Sequence, residues 1–256
     1  MDQAGGTRIQ LCGRLAVELS GRRVEEQLPG NKGRLLFAYL VLNRARRVTR
    51  DELLTAVYGE EASPEQHPSL NVLLSKLRAV VGQELLAGRS EIELVLPRDA
   101  FIDVEAAREA LHRTESHIAA REWAEAWGPA GVAYHVARRP LLQGEDRPWL
   151  DEWRRRLDDV HLRGLECFAE ARLRLGGPTL PQAEDCARQL IELSPYRETG
   201  HRILMEALEQ RGNVAEALLA YDRLRVLLRE ELGVAPSRAL QSVHRRLLGE
   251  PTTTPA

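Results

Sequence analysis

The feature that most constrains this chain is a change of periodicity near Asp103. Upstream, strand-like and helix-like apolar patterns mix; downstream, almost every segment repeats its apolar residues at helical spacing. One pattern cannot serve both periods, because a strand returns to the same face every second residue and a helix every ~3.6 residues. The chain therefore reads as a mixed α+β head, residues 1–103, joined to an all-helical body, residues 104–250. Residues 251–256, with two prolines and three threonines, read as a disordered tail.

Within the head, Arg8 to Leu19 alternates apolar and polar like a half-buried strand, Gly21 supplies a turn, and Arg22 to Leu28 can pair back. Leu35, Leu36, Ala38, Tyr39, Leu40 and Leu42 predict a first helix. A second starts at Thr49, whose hydroxyl can cap it while Glu52 reaches back in a capping box. Leu53, Leu54 and Val57 form its apolar stripe, and Gly59 ends it. After a polar loop, Pro68 sits at the start of a third helix, Ser69 to Val81, with Leu70, Leu73, Leu74, Leu77 and Val81 on one face. Gly82 stops that helix. Leu85 and Leu86, with the apolar runs Ile92 to Leu96 and Ala100 to Val104, predict a small terminal hairpin and a strand end. Strands, three helices and a hairpin in this order predict a winged helix-turn-helix.

In the body, helices are expected over residues 104–114, 117–138, 147–175, 180–193, 197–211, 214–231 and 236–248, separated by proline and glycine breaks. Ala183 and Ala217 lie 34 residues apart, as do Leu190 and Leu224, and Leu193 and Leu227. That is the period of tetratricopeptide helix pairs, in which small alanines let helices approach closely. A degenerate earlier copy can be traced around Trp123 to Ala133.

Composition excludes several functions. With 43% apolar and 29% charged residues the chain can bury a core. It has no apolar run long enough to span a membrane and no apolar signal segment near its start, which predicts a cytoplasmic protein. Cys12, Cys167 and Cys186 are dispersed and lack zinc-ligand spacing, so no metal or cofactor is expected. The seven histidines form no metalloprotease motif, and the alternating charges of Asp151 to Asp159 read as support for an exposed helix. No enzymatic activity is expected. Trp123 and Trp127, and Trp149 and Trp153, pair at helical spacing; packing explains them, with a ligand-stacking groove as the alternative.

The third helix carries the functional reading. Its apolar face packs inward, leaving Asn71, Ser75, Lys76 and Arg78 for the outside. A helix fits the DNA major groove, where lysine and arginine read guanine, asparagine reads adenine, and serine or a flanking arginine grips phosphate. Arg44, Arg46, Arg47 and Arg50 gather at the start of the second helix, and Arg89 sits between Gly88 and Ser90 in the wing, with Arg98 nearby. The net charge of −2 requires these cations to be sorted onto one face.

The stretch Ser69-Leu-Asn-Val-Leu-Leu-Ser-Lys-Leu-Arg78 resembles the recognition helix of OmpR-type activators. Leu228-Arg-Glu-Glu-Leu-Gly-Val-Ala-Pro-Ser237, followed by Leu240 to His244 and Leu247-Leu248, resembles the end of the bacterial transcriptional activator domain. Together, over residues 8–248, the chain resembles the Streptomyces antibiotic regulatory protein family in its two-domain form. The resemblance implies an activator of a biosynthetic gene cluster that binds directly repeated double-stranded DNA and recruits RNA polymerase. It places Asn71, Ser75, Lys76 and Arg78 toward DNA, and Glu60 and Glu61 where such proteins touch polymerase. Leu73 departs from the pattern, which often has a polar residue there; either it is packed or one contact is missing. A homodimer and a small-molecule effector stay open, the latter unsupported by any motif. The competing reading is an effector- or peptide-binding helical-repeat scaffold that does not depend on DNA.

Overall fold

The computed structural model describes residues 6–59 and 64–249. The tail of residues 251–256 lies outside them. Two compact units form: Met1–Ala106 with Arg139–Leu157, and Ala107–Arg138 with Asp158–Ala256.

In the first unit, β1 (Arg8–Gln10), β2 (Ala16–Leu19) and β3 (Arg22–Arg23) make an antiparallel meander. The alternation from Arg8 to Leu19 therefore belongs to two strands rather than one. The break falls at Gly13, whose φ of +82° suits glycine. Helix α1 (Gly30–Leu42) follows, then β4 (Val48–Thr49), α2 (Arg50–Tyr58) and α3 (His67–Val81). The terminal hairpin forms between β5 (Leu86–Ala87) and β6 (Glu91–Leu94), and β4 joins it on the β6 side. β7 (Phe101–Ile102) leaves that hairpin and pairs parallel with β1. Leu35, Leu36, Phe37, Leu53, Leu70, Leu74, Leu77 and Ile92 fill the core between helices and wing. This is a winged helix-turn-helix.

Asp103 ties the end of β1 to the first turn of the next helix. Its carboxylate, 2% exposed, accepts hydrogen bonds from the backbone N–H groups of Leu11, Cys12 and Val104, each at 2.9 Å. Burial pushes the carboxyl above its usual range, against the pull of those N–H donors and of Arg139 at 3.9 Å. The same neighbourhood pushes the buried Cys12 thiol well up.

Residues 139–157, which the helical pattern assigned to the body, pack with the head. Cys12 bridges Leu141, Gly13 N–H donates to the Pro140 carbonyl at 2.8 Å, and Leu142 N–H donates to that of Leu11 at 3.0 Å. Trp149 stands edge-on to Tyr39 at 5.0 Å and donates its indole N–H to the Ala56 carbonyl at 3.0 Å. Helical periodicity reports that a face is buried, not which partner buries it.

The helices after β7 are α4 (Asp103–Ala119), α5 (Trp123–Ala137), α6 (Pro148–Leu175), α7 (Leu180–Leu193), α8 (Glu198–Gln210), α9 (Val214–Leu232) and α10 (Arg238–Leu247). The first break lies at 120–122 instead of 115–116. Arg121 turns there with φ +60°, and His117 pairs with Glu122 at 2.7 Å. In the second unit α7 packs on α8, and α8 on α9. The repeat-matched Ala183, Ala217, Leu190 and Leu224 are fully buried at these contacts, whereas Leu193 is exposed. Buried Glu184 and Glu206 are satisfied by arginine: Arg188 at 2.7 Å and Arg211 for the first, Arg202 at 3.1 Å and Arg174 at 3.3 Å for the second.

This packing predicts two outcomes. Asp103→Ala strands three buried donors and should cost about 2–4 kcal/mol in urea unfolding, with loss of two-state behaviour as the head loosens. His201, buried with its Nε2 on the Pro195 carbonyl at 3.0 Å, has its pKa pushed down by burial, as do His135 and His161. Stability that depends on a neutral imidazole is complete above the unfolded value of ~6.5 and is lost as pH falls through the lower folded values. The thermal midpoint should therefore drop between pH 7.5 and 5, with a shallower dependence in His201→Gln.

Candidate nucleic-acid interface

The capping box expected at α2 is present: Thr49 accepts from Glu52 N–H, and the Glu52 carboxylate accepts from Thr49 N–H at 2.8 Å. This fixes where α2 begins. Helix α3 buries Leu70, Leu73, Leu74, Leu77 and Val81. Leu73 is thus packed, which resolves its departure from the family pattern. The outward face carries Ser69, Asn71, Val72, Ser75, Lys76 and Ala79.

The structure separates the candidate residues into two groups. Arg78 is a strut: its Nε donates to the Leu86 carbonyl at 3.2 Å and its Nη2 to that of Gly88 at 2.7 Å, strapping α3 to the wing. Arg50 is a second strut. It donates to the Arg89 carbonyl at 2.6 Å and to the Asn71 side-chain oxygen, joining α2, α3 and the wing tip. Arg46 pairs with Glu52 at 2.9 Å, Arg47 with Glu93 at 3.2 Å, and Arg44 grips Glu105 through two hydrogen bonds of 2.7 and 2.6 Å. Arg47 nevertheless stays 69% exposed, so its pair is open to competition from another anion. Lys76, Ser75 and Arg89 are exposed and make no side-chain hydrogen bond among the described residues. Glu60 and Glu61 lie outside the described residues.

Two features escaped sequence reasoning. Val72, which the sequence pattern assigns to neither face, is 55% exposed on the outward face. Beside it a shallow groove of about 630 Å³ is lined by Ser69, Val72, Lys76, Tyr58 and the start of α1. Lys32 lies over the Tyr58 ring at 4.2 Å, so the chain's two lysines flank one groove.

Comparison with known proteins decides the family. The model of the bacterial transcriptional activator domain matches residues 102–248. This chain belongs to that family. Its resemblance to the Streptomyces antibiotic regulatory proteins holds in the relatives as well: it is 31% identical to Regulatory protein AfsR of Streptomyces griseus over 228 residues, 84% of this chain and 22% of AfsR. Transcriptional regulatory protein EmbR of Mycobacterium tuberculosis is 27% identical over 248 residues, 93% of this chain and 62% of EmbR. The chain thus spans about a fifth of AfsR and less than two thirds of EmbR. The solved structure of Mycobacterium tuberculosis EmbR in complex with a low-affinity phosphopeptide superposes with TM-score 0.81 at 25% identity, over 96% of this chain and 66% of that one. Among the described residues no helix is long and apolar enough to cross a membrane, and no three His, Cys, Asp or Glu side chains gather as metal ligands.

The braced wing has a direct consequence. Gly88 turns the tip with φ +89°, and a Cβ there would lie 1.9 Å from the Glu91 carbonyl oxygen. Gly88→Ala should destabilise the first unit by about 1–3 kcal/mol in urea unfolding, through strain the turn cannot relieve.

Proposed function

We propose that this chain is a sequence-specific DNA-binding transcriptional activator, working in the cytoplasm as a regulator of a biosynthetic gene cluster. The observation that carries the reading is the outward face of α3, polar and unpaired at Ser75 and Lys76, in a helix whose flanks are braced by Arg50 and Arg78. A rigid helix presented beside a wing suits the major groove, since little ordering is left to be done on binding.

Roles follow from chemistry. Lys76 reaches guanine acceptors, and Val72 packs against a thymine methyl. Asn71 keeps its amide nitrogen for adenine while its oxygen is held by Arg50. Ser75, Arg46, Arg47 and Arg89 take phosphates, which set register rather than sequence. Arg78 contributes mainly by holding the wing. Activation then requires RNA polymerase, with Glu60 and Glu61 as the contact inferred from the family resemblance, and directly repeated sites seat two copies of the chain.

Selection of bound DNA from a random duplex pool, followed by anisotropy titration at several salt concentrations, tests the proposal. The expected result is a directly repeated motif whose affinity falls steeply with salt. Lys76→Ala should cost about 1–3 kcal/mol on that motif and relax one base preference, leaving the melting curve unchanged. Arg78→Ala should lower both affinity and thermal midpoint. Enrichment of no motif by the intact chain would overturn the reading.

A further inference from the structure

The second unit carries a cluster of cations held on aromatic faces. Trp127, Gly131 and His135 follow one another at helical spacing along α5, Arg138 caps its end, and Phe168 and Arg172 face them from α6. The Arg172 guanidinium lies 4.0 Å from the Phe168 ring centroid and 6.0 Å from that of Trp127. Arg138 lies 5.6 Å over Tyr134, which itself stacks on Phe168 at 5.9 Å and is anchored by its hydroxyl to Gln189 at 2.8 Å. Gly131 leaves the space above Phe168 open; a Cβ there would sit 3.4 Å from the ring.

Many arginines of this unit are engaged by carboxylates, among them Arg163, Arg174, Arg188, Arg197, Arg202 and Arg211. Arg138 and Arg172 form no ion pair among the described residues, and the Arg172 Nε is buried without any hydrogen-bond partner. His135, at the surface between the two arginines, has its pKa depressed by partial desolvation and then by both guanidinium charges, so the local field is positive. A guanidinium stacked on a ring is already oriented, and its outer N–H groups match a carboxylate with two parallel hydrogen bonds.

We propose that this cluster is a docking surface for an acidic peptide segment of a partner protein, with Arg138 and Arg172 gripping carboxylates and half-exposed Trp127 receiving an apolar side chain. Charge complementarity selects the occupant. The surface is open, with Trp127 48% exposed, and does not enclose a small ligand as drug-sized sites do. DNA is disfavoured because the unit as a whole holds 17 arginines against 19 acidic residues, so its positive field is local and short. The proposal is independent of base reading by α3.

The test uses the full chain and a fluorescein-labelled peptide of alternating glutamate and leucine containing one phenylalanine, titrated by anisotropy at low salt. Saturable binding is expected. Arg138→Glu, at an exposed position, should weaken it by about tenfold or more, as should Arg172→Lys, which keeps the charge but loses the fork. Trp127→Ala should weaken it too, while affinity for the selected DNA stays unchanged in all three. Circular dichroism melts of each variant identify any that fail to fold, and exposed Arg138 decides the matter if Arg172 variants do. Absence of peptide binding, or binding indifferent to Arg138→Glu in a folded chain, overturns the proposal. Competition by random-sequence duplex that is lost in Arg138→Glu would also overturn it, assigning the surface to nucleic acid.

Discussion

One buried carboxylate organises the head. Asp103 draws in the backbone N–H groups of Leu11 and Cys12 where β1 ends, and of Val104 where α4 begins. A strand end and a helix start both leave donors without intrinsic partners, and burial makes such donors expensive. A single acceptor group satisfies both. This places β7 parallel beside β1, so that the chain leaves the wing through the opposite edge of the molecule's first sheet. The segment 139–142 then closes over the same strand end through Pro140, Leu141 and Leu142.

Arginine is the second organising element. Of 36 basic residues only Lys32 and Lys76 are lysines. The planar, five-donor guanidinium can join two partners at once, which a lysine ammonium does with less directional definition. Arg50 joins α3 to the wing tip, Arg78 joins α3 to the wing strand, and Arg202 joins Glu170 to Glu206. Many of these arginines therefore shape surfaces rather than serve as free charges. The outward face of α3 is braced by residues that a count of positive charge would have scored as free cations.

The two compact units divide this labour. The first presents a braced helix and wing; the second stacks α7, α8 and α9 through alanines and glycines, as at Gly200, where a Cβ would meet Leu190 and Ile191 at 3.2–3.3 Å. Close approach of helix backbones leaves room for buried ion pairs at the edges of the contact, where Glu184 and Glu206 sit. Such pairs offset the desolvation cost of burying the two carboxylates.

By itself the sequence determined the elements and their order. Capping chemistry at Thr49, the apolar stripe of α3, and the proline and glycine breaks act within a few residues, so local physics places them. The 34-residue spacing likewise announced which alanines lie at helix contacts. Tertiary structure alone decided which partner each apolar face meets and which cations remain free. Residues 139–157 read as part of the helical body and pack with the head, and Arg50 and Arg78, candidate DNA contacts by sequence, are bound to the wing. Trp127, read from its spacing as a packing residue, stays half-exposed. The reason is physical: periodicity encodes that a side chain faces away from water or toward it, whereas hydrogen-bond partners and packing neighbours are set by residues tens of positions distant, brought together only when the chain closes.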